Sequence, residues 1–282
     1  MGFLKIFLSI LFVFTASLAA LPETAVEMGT RLAKMNDDRP VFERVKARIN
    51  LIINNSSGEV RFTKVLIMAA YTENMNSPVN YCERYITYFM APADDQGNAY
   101  LSYHYKNQSD VKWAYLKGIR RAKKVTGADK KLSFFGSDFT NGEMGKPNFL
   151  EWKYKYLGDD KVTFRGNVFD CYMIESLPKT QSIMNENGCG RRVSYVEKKT
   201  LLTLRLDYYD ENLTKIKEMR LVSFTTKNNI NGQKVYYETG LEMRNLKTGT
   251  RTELRFSDVK VESEANIRTD IFTEQYLIQK WW

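Results

Sequence analysis

The chain has 282 residues, a formal charge of +9, and 43% hydrophobic and 13% aromatic residues. That apolar content supports one sizeable core and excludes a disordered chain. Lys and Arg residues are scattered from Arg31 to Lys280 without forming a block, which points to a general attraction to anionic surfaces and away from a dedicated nucleic-acid stripe.

Lys5 precedes an apolar run over residues 6–14 and a small-residue stretch over 15–20, with Ser17 and Ala19 at the minus-three and minus-one positions of a secretory cleavage site. The run is shorter than the ~20 residues of a bilayer span. The expectation is a signal peptide over residues 1–20, cleaved near Ala19 and Ala20, and a single exported domain over residues 21–282.

Apolar residues at helical spacing (Ala25, Met28, Leu32, Met35) predict a short amphipathic helix over residues 24–35. Alternation takes over from Phe42, where Val45, Ala47, Ile49 and Leu51 face away from Arg44, Lys46, Arg48 and Asn50. The turn residues 54–58 then lead into a second strand over 59–71. Strands follow at 84–90, 99–105, 111–116 and 119–125, and after a long irregular stretch at 150–156, 162–164, 169–176, 193–196, 202–208, 216–224, 235–243 and 252–261. Short polar connections make neighbours pair antiparallel, and so many meandering strands predict a mainly β fold: one strongly curved sheet or incomplete barrel, its mouth covered by the helix and the irregular stretch.

That stretch, residues 131–144, carries Phe134, Phe135 and Phe139 beside Gly136, Gly142 and Gly145, and fits neither a strand period nor a helix. It reads either as a glycine-hinged lid or as a loop tucking its aromatics into the core.

Catalytic signatures are missing from the sequence. The one histidine, His104, lies in a strand among tyrosines, and there is no GxSxG, HExxH, P-loop or GxGxxG. The acidic pairs Asp37-Asp38, Asp94-Asp95 and Asp159-Asp160 read as turns. Neither a zinc spacing nor an EF-hand spacing is present, so no enzyme activity, metal or other cofactor is expected. Cys171 and Cys189 are spaced to close a loop of modest length, with Cys82 left as a buried thiol; connectivity stays open at this level. The run Arg120-Arg121-Ala122-Lys123-Lys124 is a solvated strand edge or a contact for phosphate groups of lipid.

Several segments in consistent order resemble the periplasmic outer-membrane lipoprotein-sorting proteins related to the carrier LolA. They are Tyr88-Phe-Met-Ala-Pro-Ala-Asp-Asp-Gln-Gly-Asn-Ala-Tyr-Leu-Ser102, Trp113-Ala-Tyr-Leu-Lys-Gly-Ile-Arg-Arg121, Phe134-Phe-Gly-Ser-Asp-Phe139, Cys171-Tyr-Met-Ile-Glu-Ser-Leu-Pro-Lys179 and Asp270-Ile-Phe-Thr273. The resemblance departs at Lys117, where a proline is common, and over residues 180–192, where an aromatic-rich strand start is replaced by Gln181-Ser-Ile-Met-Asn-Glu-Asn-Gly188. It implies an incomplete antiparallel barrel closed by a helical lid, with an apolar cavity for acyl chains. It also implies a link to exporters of the resistance-nodulation-division type.

On this basis the expectation is a soluble periplasmic carrier of lipid or lipoprotein acyl chains, working between an inner-membrane exporter and an outer-membrane acceptor through transient membrane contact. Trp113, Tyr115, Phe134, Phe135, Phe139 and Met144 would form or gate the cavity, and Arg120 and Arg121 would meet a headgroup or membrane. The alternative is a periplasmic sensor or adaptor of an envelope or efflux system that binds a protein partner with the same fold.

Overall fold

The computed structural model describes residues 22–77 and 79–282; the expected signal peptide and its cleavage site lie outside them. The chain opens with helix α1 (Ala25–Asp37). Thr24 caps it by accepting the Glu27 N–H at 3.2 Å, and the Glu27 carboxylate accepts the Thr24 N–H at 2.9 Å, a reciprocal arrangement that satisfies two otherwise unpaired donors. Six strands follow as a meander: β1 (Arg44–Asn54), β2 (Val60–Glu73), β3 (Cys82–Ala91), β4 (Ala99–Tyr105), β5 (Val111–Leu116) and β6 (Arg121–Lys124). After residues 125–151 a second meander runs through β7 (Trp152–Phe164), β8 (Asn167–Pro178), β9 (Arg191–Glu197), β10 (Thr203–Tyr209), β11 (Lys215–Asn228), β12 (Lys234–Asn245) and β13 (Arg251–Val261). The short helix α2 (Gln181–Asn187) interrupts it, capped by Thr180 at its start and by left-handed Gly188 at its end.

The two meanders fuse where β1 pairs antiparallel with β13, from Val45 opposite Val261 to Asn54 opposite Arg251. The result is one 13-stranded sheet in the order β6-β5-β4-β3-β2-β1-β13-β12-β11-β10-β9-β8-β7. Its edges, β6 and β7, are not hydrogen-bonded to each other, so the curved sheet stays open and is not a closed barrel.

The main core lies on the inner face, where Ile49, Leu51, Leu66, Met68, Phe89, Leu206, Tyr208 and Leu254 meet Phe134 and Phe139 of the long connection. On the outer face of β2 to β5 a second cluster forms under the C-terminal turns, where Ile271, Phe272 and Leu277 cover Ala69, Ile86, Ala99 and Leu101. The outer face of the later strands carries an ion-pair ladder. Arg205 bonds Asp207 at 2.6 Å, Lys215 bonds Asp207 at 2.8 Å, and Arg255 bonds Glu253 at 2.5 Å.

Three sequence expectations are corrected. First, β7 runs unbroken through Asp159 and Asp160, because a bulge at Gly158 (φ 123°) absorbs the extra residue, so this acidic pair forms no turn. Second, the buried side of α1 is Gly29, Leu32, Ala33 and Asp37, while Ala25 and Met35 are exposed. The face is rotated because α1 packs through the backbone of Gly29, where an added Cβ would sit 2.4 Å from the Lys155 carbonyl carbon. Third, all three cysteines are free. Cys171 lies opposite Glu197 at the far end of β9, and Cys189 precedes that strand, which puts them about 25 Å apart along the hairpin, well beyond disulfide reach.

The Gly29 contact gives a direct test. Gly29→Ala drives a methyl group into backbone that has no flexible end to yield, so α1 must lift from β7. Thermal unfolding should show a loss of about 1–3 kcal/mol even though alanine is the better helix former; unchanged stability would contradict the packing.

Candidate functional site

Because β6 and β7 are successive in the chain yet lie at opposite edges of the sheet, residues 125–151 have to cross the inner face. The crossing carries a small hairpin. Ser133 bridges Thr140, the Phe134 N–H donates to the Phe139 carbonyl at 2.8 Å, and the Ser137 N–H closes the turn on the Phe134 carbonyl at 3.0 Å. Both central residues have positive φ (Phe135 47°, Gly136 82°), which is the geometry of a type I′ turn. A phenylalanine is strained there, and it is held by ring contacts at 4.3 Å to Phe89 and 4.9 Å to Phe134. The hairpin thereby directs Phe134 (1% exposed) and Phe139 (3%) into the core, with Phe134 set edge-on to Tyr100 at 5.3 Å.

Polar groups fasten this crossing to both halves of the sheet. From β5, the buried Lys112 ammonium donates to the carbonyls of Gly142 at 2.9 Å and Met144 at 2.8 Å. Burial pushes its pKa down to about 8. Toward β13, Thr250 and Thr252 donate to the Asp138 carboxylate at 2.5 and 2.7 Å, and the Asp138 N–H donates to Thr252 Oγ1 at 2.9 Å. From β11, Lys217 pairs with Glu143 at 2.7 Å. The far end of the crossing is held by Asn148, which donates to Asp110 at 3.0 Å; that carboxylate also meets His104 Nδ1 at 3.0 Å. Burial alone would raise the Asp110 pKa, but the His104 contact and neighbouring donors hold it below the usual carboxylate range.

Cavities lie between the crossing and the sheet. The first, about 330 Å³, has Phe139, Cys189, Tyr208 and Ile216 on its walls, and the rest of its lining is mainly polar, Glu143 and Lys217 included. The second, about 80 Å³, lies beneath α1 and is bounded by Phe149, Trp152, Ile174, Arg192, Val196 and Leu206. His104 borders neither. Among the described residues no group of His, Cys, Asp and Glu is placed to hold a metal, and no helix is long and apolar enough to cross a membrane.

The residues singled out from sequence divide accordingly. Phe139 borders the first cavity, while Phe134, Phe135 and Met144 pack in the adjoining core. Trp113 and Tyr115 do not join them: they point to the opposite face and pack under the C-terminal turns with Tyr103, Ile271 and Phe272. Arg120 and Arg121 are exposed at the β5–β6 tip, beside exposed Leu116 and Ile119. Sequence reasoning did not single out Lys112, Glu143, Arg192 or Lys217, whose charges argue for solvent. Asp138 was quoted within the Phe134 to Phe139 motif, but nothing in the sequence showed that it ties the crossing to β13.

An open, strongly curved antiparallel sheet whose inner face is covered by a helix and a crossing segment is the LolA-like architecture. A DUF1329 family protein from Desulfovibrio piger has this fold with a TM-score of 0.75 and 25% identity over 90% of this chain and 99% of that one. A domain from Vibrio parahaemolyticus described as an outer membrane lipoprotein-sorting protein gives 0.76 at 22% identity over 90% and 100% of the two chains. A LolA superfamily protein from Nitrosomonas europaea gives 0.60 at 16% identity over 88% and 99%. Residues 82–279 match the model of a family that carries the description "Uncharacterized protein", and the chain belongs to that family. No curated protein matches it.

Lys112 makes the fastening measurable by pH. Its folded pKa of about 8 lies below the usual lysine value of roughly 10.4, so the unfolded chain binds the extra proton between these limits and stability rises as pH rises through that window. In Lys112→Met that rise should vanish, and amide exchange over residues 141–145 should speed up because the Gly142 and Met144 carbonyls lose their donor. An unchanged pH profile would show that Lys112 is not the group responsible.

Proposed function

We propose that the protein is an exported, periplasmic carrier that shelters a lipid or the acyl chains of a lipoprotein between the concave sheet face and the crossing segment. The observation that carries this reading is the cavity of about 330 Å³ in the seam between Phe139 and the β10–β11 wall, a size at the lower end of small-molecule sites. The seam suits exchange. An acyl chain gains about 0.8 kcal/mol per buried methylene, so several methylenes match the ~1.5–3 kcal/mol that each displaced phenylalanine contributes. No chemical step is needed. The fold shared with a domain described as lipoprotein-sorting supports the same reading.

Delivery requires meeting a membrane, and the side chains of the β5–β6 tip support that step. Leu116 and Ile119 are exposed beside Lys117, Arg120 and Arg121, and Trp282 packs against Tyr88 nearby, its ring tilted at 40° with centroids 4.1 Å apart. Apolar and tryptophan side chains among cations favour an anionic bilayer interface. The donor and acceptor would be an inner-membrane exporter and an outer-membrane acceptor.

Native mass spectrometry and lipid extraction of the mature protein should reveal co-purified lipid. Ile216→Trp fills the first cavity, and the variant should lose bound lipid while remaining folded; an undiminished lipid load would overturn the assignment of the site. Arg120→Glu with Arg121→Glu should reduce affinity for phosphatidylglycerol vesicles, read by co-sedimentation, by about thirtyfold, at roughly 1 kcal/mol for each cation removed, and leave soluble lipid binding intact. If instead a saturable protein complex forms with wild type and with Ile216→Trp alike, the adaptor reading prevails.

A further inference from the structure

Arg192 is a buried cation that, among the described residues, makes no ion pair with a carboxylate. It sits on β9, 6% exposed, with its guanidinium carbon 3.9 Å from the centre of the Trp152 ring and 5.3 Å from that of Tyr208. One terminal nitrogen donates to Asn187 Oδ1 at 2.8 Å, while Nε has no partner. Arginine cannot shed its charge to escape burial, so a guanidinium in such a place requires either an acid or an external anion. The acids whose charge reaches it make no ion pair with it: Glu143 pairs with Lys217 at 2.7 Å, and Glu151 lies 3.9 Å from Lys130, which itself pairs with Glu186 at 2.7 Å.

The position of Arg192 adds the second argument. It borders the cavity beneath α1, whereas its neighbours Asn187 and Tyr208 border the larger cavity, so the guanidinium stands in the partition between the two. Apolar side chains flank it, Ile174, Val196 and Leu206 in the smaller cavity and Ile216 and Phe139 in the larger one, whose remaining lining is mainly polar. Aromatic rings on the guanidinium keep it oriented without neutralising it, and with Asn187 as its one hydrogen-bond acceptor among the described residues it keeps donor capacity for a planar or tetrahedral oxyanion.

We propose that Arg192 is the headgroup receptor of the cavity, so that the ligand is an anionic amphiphile whose carboxylate or phosphate oxygen is bound by the guanidinium while its apolar chain lies along the concave sheet face. This rests on the carrier reading and narrows it from lipids in general to anionic ones.

The test uses calorimetric titration of the delipidated mature protein with decanoate, methyl decanoate, decanol and inorganic phosphate. The wild type should bind decanoate at least about tenfold more tightly than the ester or the alcohol. Arg192→Met should bind all three apolar ligands equally, because it removes the charge and keeps the volume. It should also fold, since replacing an unpaired buried charge by a hydrophobic side chain does not destabilise. Arg192→Lys should keep part of the preference, as a point charge without the planar fork. If wild type binds acid and ester alike, or Arg192→Met keeps the preference, the headgroup assignment falls and the carrier reading stands. If phosphate alone binds as tightly as decanoate, the site serves small anions and the amphiphile proposal is overturned. If no apolar ligand binds, both readings fail.

Discussion

The structure depends on the pairing of β1 with β13, which zips the first meander onto the last and places β6 and β7 at opposite edges of one sheet. Once that seam is fixed, the chain between β6 and β7 has no route except across the concave face. Edge strands are ready templates for further pairing, and here they are blunted. β6 has four residues with Arg121, Lys123 and Lys124 exposed, and β7 is packed against α1 through Gly29. The sheet therefore neither closes on itself nor offers a long apolar edge, and the crossing segment does the covering that closure would have done.

Two kinds of force hold that segment, and they differ in what they allow. Phe134 and Phe139 supply the larger free energy through burial, roughly 1.5–3 kcal/mol each, but burial is non-directional and any apolar surface can substitute for it. The anchors at Lys112, Asp138 and Glu143 contribute less each, about 1 kcal/mol for a typical net hydrogen bond, yet they fix position, since a displaced carbonyl or carboxylate would be left buried and unpaired. A segment located by polar contacts and filled by exchangeable apolar ones keeps its place while its interior is replaced. That division, more than the glycines that first suggested a hinge, is what the proposed carrier function draws on.

Much of the fold was legible because strand alternation and turn residues are local signals, and the meander order follows from short connections. What stayed hidden depends on which side of a strand becomes the inside. In β5 the apolar residues Val111, Trp113 and Tyr115 alternate with Lys112 and Ala114, and the pattern argues that the tryptophan side faces the main core. The sheet is covered on both faces here: the C-terminal turns take the aromatic side, and Lys112 points inward to carbonyls of a segment that starts a dozen residues later. Alternation reports two faces and cannot tell which is concave. Gly29 misled for a related reason, since a helix that packs by backbone approach carries no apolar signal at the contact. The motif from Phe134 to Phe139 was visible as a break in pattern, but the partners of Asp138, Thr250 and Thr252, are more than a hundred residues away and polar.

The two buried cations of the concave face make the same point about charge. Lys112 and Arg192 both look like solvent-facing residues of alternating strands, and both end in the dry interior. The fold answers the first with two backbone carbonyls, a complete solution that converts a charge into an anchor. It answers the second with two rings and one amide, which orient the guanidinium and leave donor capacity unused. Other buried charges of this protein are paired, Asp207 with Arg205 and Lys215 and Glu143 with Lys217, so the fold has the means to pair this one too. An unpaired cation at the partition of two of its cavities is therefore better understood as half of an interaction whose other half arrives with a ligand.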